Sequence, residues 1–331
     1  MKKRLGLGLS LLASFGVHAA VSGSSVSWSN YSDMATFNCS GTLLAGQYLL
    51  TAAHCSDSST ITFSDLSTDT ATAYNNPSWS GVAGQNYDVA LYKLTKRHDT
   101  THIHFLADLT SDSVSNGDQI NIFGFAGTQS LSYATVSIDS SYNSTYPSEY
   151  VYEGLGIGSG VTTGGDSGGS WLNTSNEIVA VHTSSTDTVD GGGNVTETNM
   201  YGANLTYSKD FILETIDGWH FPTTAKTSND TVTITVQSLH QNNVSDTAYT
   251  DGNATITGGS CVGASSITPF EKCTYIIEST GESKLYLTTT EYVHINKPTT
   301  TSNGDSGGSS GGGSFGWISL AFLALAMRLR K

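Results

Sequence analysis

Between residues 21 and 222, apolar and polar positions alternate in short runs broken by Gly, Ser, Asn and Asp. "MATFNCSGTLL", "QYLLTAAHC", "QINIFGFAG", "YATVSI" and "EIVAVHTS" are such runs. Period-two alternation of β-branched and aromatic residues predicts strands. "SKDFILETIDGW", from Ser208 to Trp219, has helical spacing instead. Phe211, Ile212, Ile216 and Trp219 would share one face, with Ser208 as N-cap. Many short strands and one terminal helix predict an all-β protein of paired barrels or sandwiches.

The polar stretch "FPTTAKTSN", Phe221–Asn229, reads as a linker. Alternating runs resume with "TVTITVQSL", "NATITGGSC", "CTYIIES" and "KLYLTTTEYVHIN". They predict a small immunoglobulin-like β-sandwich over residues 223–297. Residues 298–314 are a Gly/Ser-rich linker with nothing apolar to bury. Residues 315–331 hold an apolar run, Phe315–Met327, and a basic end, "RLRK". At 1.5 Å per residue that run reaches only ~20 Å across a hydrocarbon core of ~30 Å.

Composition changes this picture in three ways. Residues 1–20 carry a basic head (Lys2, Lys3, Arg4), an apolar run and small residues at Val17–Ala20, the pattern of a secretory signal peptide. The protein is therefore expected to be exported, where disulfides persist. All 28 acids lie between residues 21 and 305, whereas six of the 14 bases sit in the first four or last four residues. A body with eight bases against 28 acids lacks the clustered Lys/Arg that nucleic acid requires. Four cysteines allow three connectivities. Local pairing, Cys39–Cys55 and Cys261–Cys273, keeps each bridge within one segment. A zinc site is the alternative, though no CxxC spacing is present.

The candidate chemistry starts from GDSGGS, which occurs at Gly165–Ser170 and again at Gly304–Ser309. A serine hydroxyl needs a neutral imidazole to take its proton, a carboxylate to orient that imidazole, and donors for the developing oxyanion. "LLTAAHC" places His54 at the end of one apolar strand, and "YDVALYKL" places Asp88 at the start of another. Ser167 follows in "TTGGDSGGS". Ser306 has no such partners and lies in the glycine tract, which cannot hold a nucleophile in place. "GLGIGSG", Gly154–Gly160, does not fit a nucleotide loop. No cofactor or metal is expected; His102 and His104, spaced to share one face of a strand, are a weak pair for a metal.

The order His54, Asp88, Ser167, with "CSGTLL" before the His, resembles the trypsin/chymotrypsin-like serine peptidase family. The resemblance covers residues 21–222 and implies two six-stranded antiparallel barrels with a C-terminal helix. It implies that Ser167 is the nucleophile, His54 the base and Asp88 its orienter, with the N–H groups of Gly165 and Ser167 as oxyanion hole. It also implies that Asp166 pairs with a new α-amino group; "VSGS" from Val21 is the nearest match to the family's mature start. The place where an Asp would select Lys/Arg is Val161. "TTGGDSG" with "NEIVAVHTS" instead resembles bacterial glutamyl endopeptidases, which implies that Thr162 and His182 bind a substrate carboxylate. The expected activity is thus a secreted endopeptidase acting on proteins or peptides, cutting after Glu or Asp. Lys/Arg specificity, and a surface binding protein or adhesin built on a peptidase homologue, are the competing readings. Finally, "SGGGSFGWISLAFLALAMRLRK" resembles the GlyGly-CTERM sorting tail of Gram-negative bacteria. That resemblance implies transient inner-membrane attachment, handling by the secretion machinery, and removal by a rhomboid-type peptidase.

Overall fold

The structure, a computed structural model, describes residues 23–55, 60–139, 149–158 and 160–298. The expected signal peptide, Val21, Ser306 and the tail lie outside them.

Strand β1 (Ser24–Ser25) belongs to the second barrel. The first barrel is a seven-stranded antiparallel sheet in the order β6-β5-β2-β3-β4-β8-β7. Its strands are β2 (Met34–Thr36), β3 (Ser40–Leu44), β4 (Tyr48–Thr51), β5 (Ile61–Thr62), β6 (Thr68–Asp69), β7 (Ala71–Asn75) and β8 (Ala90–Leu94). The sequence led us to expect six strands; the two-residue β6, which extends the edge beyond β5, is the extra one. The second barrel uses β9 (Gln119–Gly124), β10 (Ser132–Ile138), β11 (Val151–Gly156), β12 (Ser170–Leu172), β13 (Ile178–Val189) and β14 (Val195–Asn204). Here six strands close on themselves, because β9 pairs with both β10 and β12. Closure leaves no edge in that ring. Alternation explains the inward faces: β10 is buried at every second residue. The first six residues of β13 are all buried, and the rest of it leaves the core as a hairpin with β14.

Helix α1 (Lys209–Ile216) buries Ile212, Leu213 and Ile216. It is shorter than its spacing suggested. Asp217 turns left-handed at φ 37° and its N–H closes on Leu213 O, which ends the helix. Gly218–His220 is then a strand, β15, so Trp219 packs in a different core from the helix. Ser208 does stand at the N-cap, but its hydroxyl accepts from Asn76 Nδ2 (3.1 Å) rather than capping the helix.

The expected linker is ordered. Phe221 is fully buried, and Thr223 exchanges hydrogen bonds with Thr100 and His98. Threonine hydroxyls satisfy the backbone there, which polarity alone did not reveal. β15 joins a six-stranded sheet with β16 (Thr224–Ala225), β17 (Thr231–Leu239), β18 (Tyr249–Gly258), β19 (Lys272–Tyr286) and β20 (Tyr292–Ile295). The sequence read β19 as two strands around Thr280–Ser283. It is continuous because it changes partners there, from β17 to β20, while β18 runs along its other side. Trp219, Phe221, Ile234, Tyr275, Leu285 and Val293 fill this sheet's own core. Both disulfides form as expected locally, Cys39–Cys55 and Cys261–Cys273. The zinc alternative falls, because no thiolate remains to bind a metal.

Candidate active site

β4 and β8 are antiparallel neighbours, with Thr51 opposite Ala90. His54 lies three residues past Thr51 and Asp88 two residues before Ala90, so both leave the sheet at the same end. Tyr87, left-handed at φ 61°, turns the chain so that the Asp88 carboxylate points inward. Such a conformation costs roughly 1–3 kcal/mol in a non-glycine residue and persists only where its surroundings enforce it. Asp88 is fully buried, whereas the His54 side chain keeps 22% of its surface exposed. Asp88 Oδ1 accepts from His54 N (2.9 Å) and Oδ2 pairs with His54 Nδ1 (2.7 Å). Oδ2 also accepts from Thr183 Oγ1 and from Gly84 N (3.3 Å). With Nδ1 donating to a carboxylate, Nε2 carries the lone pair and can act as a base.

The turn holding Ser167 sits against this pair. Ser40 N donates to Ser167 O (2.8 Å), and Ser40 Oγ donates to Gly165 O (2.9 Å). Ser167 O lies 3.9 Å from Cys55 Sγ, so the residue next to His54 touches the turn. The Cys39–Cys55 bridge, closing a loop of 16 residues, stabilises this corner by about 3 kcal/mol in the chain-entropy view. The glycines are steric requirements. At Gly165 (φ 94°) a Cβ would lie 2.2 Å from Gly127 N, and at Gly168 (φ 84°) 2.0 Å from Thr51 Oγ1. Among the described residues nothing accepts from the N–H of Gly165 or Ser167. No hydrogen bond links Ser167 Oγ to His54 here; such contacts commonly tighten only with substrate bound.

Asp166 is buried, with Oδ1 accepting from Ala126 N (2.7 Å) and Oδ2 from Thr163 N (2.8 Å). A Cβ on Gly124 would come within 2.3 Å of its Oδ1. Its expected partner Val21 lies outside the described residues.

His182 is locked against the same turn, with Gly168 N donating to His182 O and His182 N to Gly169 O (2.8 Å each). Burial pushes its pKa down to about 3, and the nearby His54 adds to the shift. Among the described residues, its Nδ1 and the hydroxyl of buried Thr162 have no hydrogen-bond partner. Val161 beside Thr162 is half-buried. An unsatisfied buried polar group costs about 1–3 kcal/mol, a cost that a water or a bound polar group would relieve.

Three contributors escaped the sequence reading. Thr183 orients Asp88, Gly84 N supports both through Thr183 Oγ1 (2.7 Å), and Ser40 fixes the turn. The Thr after His182 was visible in "AVHTS", but only the fold brings it to Asp88. The other sequence candidates are placed elsewhere. Thr101–Phe105 is not a strand, so His102 and His104 do not share a face. His104 Nδ1 pairs with Asp33 Oδ2 (2.9 Å); burial works against its charge, but Asp33 outweighs this and leaves its pKa raised.

Two barrels with a His–Asp pair and a glycine-framed serine at their meeting point define a trypsin-like serine peptidase fold. The trypsin family model matches residues 15–208, more than half of the chain, and the chain belongs to that family. No curated protein matches it. It is similar in structure to the secreted serine protease VesC from Vibrio cholerae, at 14% identity and a TM-score of 0.48, over 83% of this chain and 71% of that one. It is also similar to the Vibrio cholerae VesB protease, at 17% identity and a TM-score of 0.46, over 82% of this chain and 96% of that one.

Proposed function

We propose that the protein is a serine endopeptidase that cleaves after acidic residues. The carrying observation is the His54–Asp88 hydrogen bond beside the turn that presents Ser167. Ser167 Oγ attacks the peptide carbonyl as His54 Nε2 takes its proton. The N–H groups of Gly165 and Ser167 receive the oxyanion. His54 then gives the proton to the leaving amine, and a water, activated the same way, frees the acyl group. Asp88 keeps Nδ1 protonated throughout. Labelling of Ser167 by an active-site fluorophosphonate tests this reading; an unlabelled, folded protein would favour a binding role instead.

Thr162 and His182 support the acidic preference, because both offer buried polar atoms without partners among the described residues, and the side chain at Val161 is no carboxylate. His182 is neutral near pH 7, so a Glu side chain entering the pocket gains a hydrogen bond and raises the pKa of the ring by its charge. At low pH, binding then takes up part of a proton. With the free ring at about 3, the ratio of kcat/KM for Glu against Gln peptides should stay flat from about pH 8 to about pH 6 and rise only as pH falls further, until the substrate carboxylate itself is protonated. His182→Val should flatten the dependence and cut the Glu/Gln ratio by roughly 10–100-fold, the worth of one hydrogen bond to a charged group. A cleavage profile dominated by Lys or Arg would refute the assignment.

Export through residues 1–20, activation by pairing of the Val21 amine with Asp166, and an immunoglobulin-like module at 223–297 complete the proposal. So does transient inner-membrane attachment through residues 315–331, followed by rhomboid-type removal. Deleting residues 315–331 should change where the enzyme accumulates, read by fractionation, and leave its turnover number unchanged. Intact Phe315–Lys331 on the mature surface-located enzyme would contradict the processing step.

A further inference from the structure

β17 is only half paired on one of its sides. Along its length, main-chain groups alternate between the β19 side and the opposite side. Ser238 exchanges hydrogen bonds with Phe270 and Glu271, and Asp230 O accepts from Ser279 N, so even-numbered residues face β19. Odd-numbered residues therefore face the other way. There Leu239 and Gln237 meet Gly218 and His220 of β15, and Thr231 exchanges two hydrogen bonds with Ser228. Between them, the N–H and C=O of Thr233 and Thr235 have no partner among the described residues. Both residues line a groove of about 770 Å³ that is also lined by Thr101, Ile103 and Phe105 of the peptidase body.

We propose that this groove binds an extended polypeptide segment, poor in Lys and Arg, as an added strand on the free edge of β17. Four main-chain groups at a two-residue repeat are matched by another extended main chain, the basis of recognition by strand addition. Two residues beyond Thr235, the body already meets β17 through side-chain amide chemistry. The Gln237 side chain accepts from Leu106 N (3.0 Å) and donates to Leu106 O (2.7 Å), standing in for a peptide unit between two chains that do not pair directly. Among the described residues nothing fills that role at Thr233 or Thr235. The walls offer apolar surface at Ile103, Phe105 and Val232 for alternate side chains. Lys226 and Lys272 line the groove together with one acid, Glu177, which is paired with Lys272; the surplus charge is that of Lys226, so a basic segment is disfavoured. The edge sequence "TVTITV" is β-prone and carries no charge of its own. Recessing such an edge in a groove admits one strand while hindering edge-to-edge pairing of folded copies.

The test uses the full secreted chain carrying Ser167→Ala, so that the probe is not cut. The probe is a fluorescein-labelled hexapeptide, Glu-Val-Thr-Val-Thr-Glu, followed by anisotropy. Thr235→Pro removes an outward N–H without breaking a bond to β19, a place where edge strands tolerate proline. Saturable binding is expected, weakened about tenfold or more by Thr235→Pro. As a measurement independent of folding in the variant, probes N-methylated at alternate residues should differ on the unaltered edge. One methylation pattern should lose binding and the other keep it, since only one side of the added strand pairs. A probe held in the catalytic cleft would be indifferent to Thr235→Pro. The proposal is overturned by absence of saturable binding, by equal binding of the two methylation patterns, or by affinity unchanged in a folded Thr235→Pro protein. A concentration-dependent dimer lost in Thr235→Pro would assign the edge to a second copy and overturn it as well.

Discussion

Ser167→Ala should lower kcat/KM on a peptide substrate by about a millionfold, because members of such a triad act as a unit. His54→Ala should lose nearly as much, and the double variant little more than either. The folded state should survive the serine change. Among the described residues the Ser167 side chain makes no hydrogen bond, while the bonds that fix the turn come from main-chain atoms and from Ser40 and Asp166. A residual acceleration of about 10³–10⁴ over water should remain from oxyanion donors and binding. Steady-state kinetics, with circular dichroism as the folding control, decide the matter. Ser306→Ala is the paired control and should change nothing. If Ser306→Ala abolished turnover while Ser167→Ala did not, the assignment would collapse.

The pair at the centre of this expectation was legible because each half sits in a local context with its own signature. "LLTAAHC" and "YDVALYKL" mark strand ends, and antiparallel pairing of β4 with β8 brings those ends together. Asp88 and His54 are 34 residues apart, and their meeting follows from the two-barrel fold. Thr183 is different. It lies 95 residues from Asp88, in a strand that is apolar only up to Val181 and then runs His-Thr-Ser-Ser-Thr, so nothing local marks this one hydroxyl as a carboxylate partner. The helix end was misread for a related reason. Trp219 continues the apolar spacing of α1, yet its side chain belongs to the neighbouring sheet, and only the left-handed Asp217 separates the two. Likewise "FPTTAKTSN" has the composition of a loop but supplies Phe221 to a core and Thr223 to a hydrogen-bond pair. Periodicity reports which face is buried; it does not report against what.

Asp88→Asn should cost about 10⁴ in kcat while leaving KM little changed, and the reason lies in who can reverse a hydrogen bond. The amide replaces one acceptor oxygen by a donor NH₂. At the Oδ1 position the NH₂ would face the main-chain N–H of His54, which can only donate. At the Oδ2 position it would face Thr183 Oγ1, which can rotate to accept, and His54 Nδ1, which can accept in the other tautomer. Gly84 N opposes this only weakly: it lies 3.3 Å from Oδ2 and already donates to Thr183 Oγ1. The amide therefore settles with NH₂ toward Nδ1 and drives the proton of His54 to Nε2. The imidazole then presents a hydrogen where the base should have a lone pair. Binding surfaces are untouched, which is why KM holds. Thr183→Val should behave differently: the carboxylate survives, the tautomer is kept, and the loss should stay near tenfold, one hydrogen bond to a charged group. Proton NMR of the His54 ring in the Asn variant reads the tautomer directly. An Asp88→Asn enzyme within about tenfold of the parent, or one whose Nδ1 still carries the proton, would show that Asp88 does not set the tautomer of His54.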